Sequence, residues 1–171
     1  MIYEIKGDLL HFFEIGLLQG IAHGCNMQGK MASGVAGQIA RKWPEVKEDY
    51  LFWHSRPVSY NDKGIPIIER NPFKLGAVKH IYVDHGCVYN LLTQEYYGND
   101  GKVYASLEAI EKALNILADD INYHRSGYKA WNVGLPRIGC GLGGLDWETQ
   151  VKPIFEKVSL AHQVNFYVFS L

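Results

Sequence analysis

GIAHGCNMQGKMASGV, residues 20–35, and LPRIGCGLGGLDW, residues 135–147, decide how this chain is to be read. Each begins as a short apolar run, the mark of a buried strand, and breaks into glycine and polar residues before a helical pattern resumes. Glycine lets backbone amides come close to an anion, and a following helix start adds unpaired N–H groups and the positive end of its dipole. A strand, a glycine loop and a helix, met twice, predict two phosphate-binding loops at one sheet edge. The spacing is neither the GxxxxGK[ST] of a P-loop nor the early βαβ position of a dinucleotide fingerprint. Taken singly, each loop reads equally well as a tight turn.

Outward from these loops the elements alternate. Met1–Lys6 reads as a first strand and Gly20–His23 as a second. Val35–Trp43 has helical spacing, and Pro44 suits the first turn of another helix running through Tyr50–Trp53. Arg56–Lys74, with Pro66 and Pro72 among polar residues, predicts irregular chain containing a short strand at Ile65–Ile68. Ala77–Val83 and Gly86–Thr93 form a hairpin pattern about Asp84 and His85. Ser106 caps a helix over Leu107–Tyr123, whose Leu107, Ile110, Ala113, Leu114 and Leu117 make one apolar stripe, ended by Gly127. A strand at Ala130–Leu135, a helix around Trp147–Leu160 and a last strand at Val164–Leu171 complete a layered α/β/α domain with a mixed central sheet.

The 171 residues are one domain's worth of chain, with 47% hydrophobic and 20% charged residues. Seventeen basic and eighteen acidic side chains leave a net charge of −1, so nothing pulls the whole molecule toward nucleic acid or an anionic membrane. The start, MIYEIKGDLLHF, has no signal-peptide pattern, and no run approaches the roughly 18 apolar residues of a membrane span. Cys25, Cys87 and Cys140, an odd number without a CxxC pair, favour a reducing cytoplasm over a disulfide framework or zinc site.

With Gly7-Asp8-Leu9 in front, the two glycine loops occur in the order and spacing of macrodomains, and the resemblance spans nearly the whole of residues 1–171. It is strongest toward the small branch that holds ADP-ribose 1″-phosphate phosphatases and terminal ADP-ribose glycohydrolases. IAHGCN and KWPEVKEDY resemble the former; LPRIGCGL and the ending F-S-L resemble the latter. The resemblance implies a three-layer α/β/α macrodomain that binds ADP-ribose or ADP-ribose 1″-phosphate, free or on a macromolecule; no cofactor is expected, and with no fourth ligand beside His80, Asp84 and His85 no metal is expected either. It also implies the roles of single residues. Asp8 would accept from the adenine amino group beside the Leu9 amide, and Asn26 would face the distal ribose. Gly34 and Val35 would offer amides to the diphosphate from one side, and Gly139, Cys140, Gly141, Leu142 and Gly143 from the other. Phe169 and Leu171 would flank adenine. Core packing serves as well for these last two, a turn for Asp8 and a loop cap for Asn26.

For catalysis, the resemblance places Tyr82 and Gly143 where the glycohydrolase has its lysine and aspartate, which removes that covalent route. The phosphatase pattern instead implies His23, as acid, base or nucleophile, with Asp84 or its neighbour His85. A buried, satisfied histidine is the competing reading of His23. Cys140 reads as a wall residue, and His80, Asp84 and His85 as a weak candidate metal set. Arg137 and Lys30 are either phosphate partners or solvated, and Tyr96 and Tyr97 either a lid or a packed loop. Three functions stay open: the phosphatase, a hydrolase or deacylase releasing ADP-ribose from a macromolecule or metabolite, and a non-catalytic reader.

Overall fold

The computed structural model describes residues 1–56, 59–67, 71–127 and 130–171. Its six-stranded sheet contains β1 (Ile2–Lys6), β2 (Gly20–Asn26), β3 (Val78–Val83), β4 (Gly86–Gln94), β5 (Val133–Pro136) and β6 (Phe166–Ser170), in the spatial order β1-β6-β5-β2-β4-β3. Every pairing is parallel except that of β3 with β4. The carboxyl ends of β1, β6, β5, β2 and β4 therefore share one edge, where open α/β sheets leave a crevice. The β3–β4 turn lies at the other edge, where Cys87 N donates to Gln19 O at 3.0 Å.

Helices α1 (Leu9–Glu14), α2 (Gly34–Lys42) and α3 (Pro44–Ser55) cover one face; α4 (Leu107–Gly127) and α5 (Lys152–His162) cover the other. Phe13, Ile21, Ile39, Val46, Tyr50, Val88 and Leu92 fill the first interlayer core. Leu91, Ile110, Leu114, Leu117, Phe155 and Phe166 fill the second, so apolar burial on both faces holds the sheet. Ser106 Oγ accepts from Ala109 N at 3.2 Å, as a cap should, and α4 buries Ile110, Ala113, Leu114 and Leu117 in one stripe.

Four expectations change. β2 continues past His23 to Asn26, because the buried His23 finds a polar partner on the neighbouring strand. Leu9–Glu14, unassigned from periodicity, is a helix capped by Asp8. The strand expected at Ile65–Ile68 is an isolated bridge between Tyr60 and Pro66, and Ile68 lies outside the described residues. The helix expected from Trp147 opens as a wide π turn over Trp147–Val151 before α5, next to Pro153, which brings no N–H to the ladder. Among the described residues no helix is long and apolar enough to cross a membrane.

Candidate functional site

A cleft of about 600 Å³ opens at the carboxyl edge of the sheet. That is the size of a small-molecule site. Its floor is His23 and Gly24 of β2; one wall is Lys30 and residues 32–36, and the other is Pro136–Gly139 with Gly141–Gly143. Thr93, Gln94, Tyr97, Gly98 and Asn99 close the β4 end. Among the described lining residues there is no aspartate or glutamate.

Backbone donors dominate both walls. Ser33 precedes α2 without a side-chain cap, and the first bond into the helix runs from Gly37 N to Ser33 O at 2.9 Å. The amides of Gly34, Val35 and Ala36 thus stand at the open, positive end of the helix. Gly34 takes φ +57° at this start, a left-handed conformation that favours glycine. Opposite, turns from Cys140 N to Arg137 O and from Leu145 N to Gly139 O fold the second loop. They leave the N–H groups of Gly139, Gly141, Leu142 and Gly143 unused by it. Gly143 is fixed by contact: a Cβ there would lie 2.5 Å from Gly139 O and 2.8 Å from Gly139 Cα. Its carbonyl accepts from Tyr104 N and Ala105 N at 2.9 and 3.1 Å, which welds this loop to the 95–105 segment.

No family model matches the chain. An uncharacterised 17.5 kDa protein of Enterobacteria phage T4 is 30% identical over 153 residues, 86% of this chain and 84% of the phage protein. An ADP-ribose 1″-phosphate phosphatase of Debaryomyces hansenii is 26% identical over 184 residues, covering 98% and 99% of the two chains. A solved macrodomain protein from Streptomyces coelicolor superposes with a TM-score of 0.73 at 27% identity, over 100% of this chain and 99% of that one. The chain belongs to the macrodomain family.

In this macrodomain His23 is 1% exposed, and its Nε2 donates to Asn90 Oδ1 at 2.7 Å. Burial lowers its pKa from 6.5 to about 4, so the imidazole in the cleft floor is neutral near pH 7. It is therefore a poor proton donor there. Asp84 does not join it. His23 pairs with Asn90, and the start of β4 at Gly86 is four residues, about 13 Å, back along the strand at about 3.3 Å per residue, with Asp84 beyond it in the turn. Asp84 sits with His85 in the turn at the far edge, and His85 packs its ring on Phe13 and Trp43. Sequence spacing alone could not reveal that the hairpin turn points away from the cleft. His80 faces the rings of Tyr82 and Tyr89, and no group of three His, Cys, Asp or Glu among the described residues is placed to hold a metal ion.

Tyr82 is also misplaced by the sequence reading. It is 57% exposed on β3 with its ring against His124, outside the cleft lining. The residues that line the cleft at the end of β4 are Thr93 and Gln94. Gly143 does lie in the cleft, and the contact at 2.5 Å leaves no room for a carboxylate side chain in this loop conformation.

Asn26 lines the cleft but spends most of its amide on the loop after β2. Oδ1 accepts from Gln28 N at 2.9 Å, Lys30 N at 3.2 Å and Tyr50 Oη at 3.1 Å, and Nδ2 donates to Lys30 O at 2.8 Å. The loop-cap reading of Asn26 is the one the geometry displays, with one Nδ2 hydrogen left for a ligand. Arg137 lines the cleft with its guanidinium already engaged: it donates to Glu4 Oε2 at 3.0 Å and lies over Trp147. Lys152 also binds Glu4, at 2.5 Å, and these bonds hold the Glu4 carboxyl below its usual pKa. Cys140 does not line the cleft and its N–H is spent on Arg137 O at 3.1 Å, so the amide expected to meet the diphosphate there is not free; burial raises its thiol to about 11, which makes it a poor nucleophile.

At the β1–β6 end, Asp8, Leu9, Phe169 and Leu171 share the cleft's edge without lining it. Asp8 caps α1 through Oδ1, which accepts from Leu10 N at 2.9 Å and His11 N at 3.3 Å; Oδ2 takes part in neither bond. Leu9 and Phe169 are 6% and 4% exposed, Phe169 against Phe12, so packing is their first role. Leu171 is 96% exposed. Signals that sequence reasoning missed are Thr93, Gln94 and Asn99, ordinary polar residues that only the strand order brings to the cleft.

Proposed function

We propose that this macrodomain binds ADP-ribose across the sheet edge and removes the terminal phosphate of ADP-ribose 1″-phosphate, giving ADP-ribose and inorganic phosphate. The observation that carries the reading is the pair of facing amide walls in a cleft whose described lining has no carboxylate. Backbone N–H groups at a helix start and in a glycine loop are suited to a diphosphate. Asp8 Oδ2 and the neighbouring Leu9 N–H offer an acceptor and a donor side by side, matching the amino edge of adenine. The terminal ribose then lies toward Asn26 and the β4 end. The phosphatase step is supported by the likeness to the Debaryomyces enzyme along almost the full length of both chains. In that step water attacks phosphorus and the bond to the 1″ oxygen breaks, with the oxygen taking a proton.

A binding module without turnover is the second reading. It is favoured by the neutral, buried His23 and the distance to Asp84, which leave no paired acid and base. Phosphorus NMR of ADP-ribose 1″-phosphate with the purified protein separates the two. Growth of inorganic phosphate in proportion to enzyme is expected; ligand broadening with an unchanged spectrum would replace the phosphatase by a reader.

A further inference from the structure

The cleft carries one charge that two amide walls do not require. Lys30 lines it, is exposed, and takes part in no ion pair among the described residues, whereas Arg137, the other strong cation of the lining, is held by Glu4. The backbone of Lys30 is held on both sides: its N–H donates to Asn26 Oδ1 and its carbonyl accepts from Asn26 Nδ2. Tyr50, buried beneath, donates to Asn26 O at 2.6 Å and so braces this clamp from α3. The loop is also seated on the exit of β4, since Met27 N donates to Gln94 O at 3.0 Å and to Glu95 O at 3.2 Å. Lys30 is thus anchored between the ends of β2 and β4, on the far side of β6 and β5 from Asp8 in the strand order.

We propose that Lys30 is a specificity-determining residue that selects ligands carrying a second anionic group beyond the diphosphate, a phosphate monoester at the distal ribose. This rests on the cleft binding ADP-ribose as argued above. A lysine is a compact charge on a flexible stem, so it sorts ligands by charge rather than by planar shape. With no carboxylate in the described lining to compete, a phosphate gains its solvent-screened attraction, while a neutral hydroxyl or acyl group does not.

The test is equilibrium titration of the whole chain with ADP-ribose and with ADP-ribose 1″-phosphate, phosphate release being followed in the same samples to correct for turnover. Lys30→Ala is expected to weaken the 1″-phosphate ligand about tenfold and ADP-ribose by less than about twofold, with Lys30→Arg keeping most of the preference. Raising salt from low to high should narrow the gap between the two ligands in the wild type and leave it unchanged in Lys30→Ala. Equal losses on both ligands would overturn the proposal by assigning Lys30 to the diphosphate; no loss on either would overturn it as well. Wild type that binds neither ligand would instead overturn the functional reading beneath it.

Discussion

A histidine buried in the floor of a cleft keeps either its proton or its burial, and His23 keeps its burial. Its folded pKa of about 4 lies below the ordinary 6.5, so the native state refuses a proton that the unfolded chain accepts between these values. Above pH 6.5 neither state binds the proton and stability is flat; as pH falls from 6.5 to 4, stability is lost. The ceiling on this loss is about 3 kcal/mol. His23→Gln should flatten the decline between pH 6.5 and 4 relative to wild type, as read from urea midpoints across that range. Parallel profiles would show that other groups carry the pH dependence. The residue type was legible in the sequence, but its partner was not: Asn90 lies 67 positions away and meets His23 only through the pairing of β2 with β4. Asn26 teaches the same lesson, since an amide that suits a ribose suits its own loop equally well.

Elements were easier to read than roles because apolar periodicity is set by the same burial that builds the layers. Pro44, Ser106 and the stripe of α4 stand where those signals place them. The short α1 was hidden because Asp8 and Gly7 carry the same signal for a turn, a cap and a ligand contact. The link between elements and site runs through α3, which the sequence marks only as a helical stretch begun by Pro44 and running through Tyr50–Trp53. Tyr50 donates from α3 to Asn26, and Asn26 in turn holds residues 28 and 30. Tyr50→Phe keeps the ring in its core and deletes this brace. The expected result is a stability loss of about 1 kcal/mol, with faster amide exchange at Gln28 and Lys30 and weaker ligand binding. Unchanged exchange at those two amides would show that the loop holds its shape without α3.

At the scale of the molecule, strand order decides what the sequence leaves open. Asp84 follows a strand, as the ligand loops do, yet β3 alone runs antiparallel and carries its turn to the opposite edge. Layering has a second consequence, because the two cleft walls belong to different cores. Val35 and Ala36 pack on the cluster beneath α1–α3, whereas Ile138, Leu145 and Ala105 belong to the cluster beneath α4 and α5. A diphosphate gripped by both walls ties the layers together and stabilises the fold by mass action, about 2.7 kcal/mol at a hundredfold excess over Kd. For a domain of this size that corresponds to a rise in Tm of roughly 5–10 °C. ADP-ribose should give this rise in a thermal melt, and AMP, with one phosphate, a much smaller one. Gly143→Ala should abolish the response, because its Cβ would meet the Gly139 backbone and displace the second wall. Gly141→Ala meets nothing within 4 Å and should retain most of it. A full ADP-ribose shift in Gly143→Ala would mean that the glycine loop is not a wall of the binding site, whatever the first wall does.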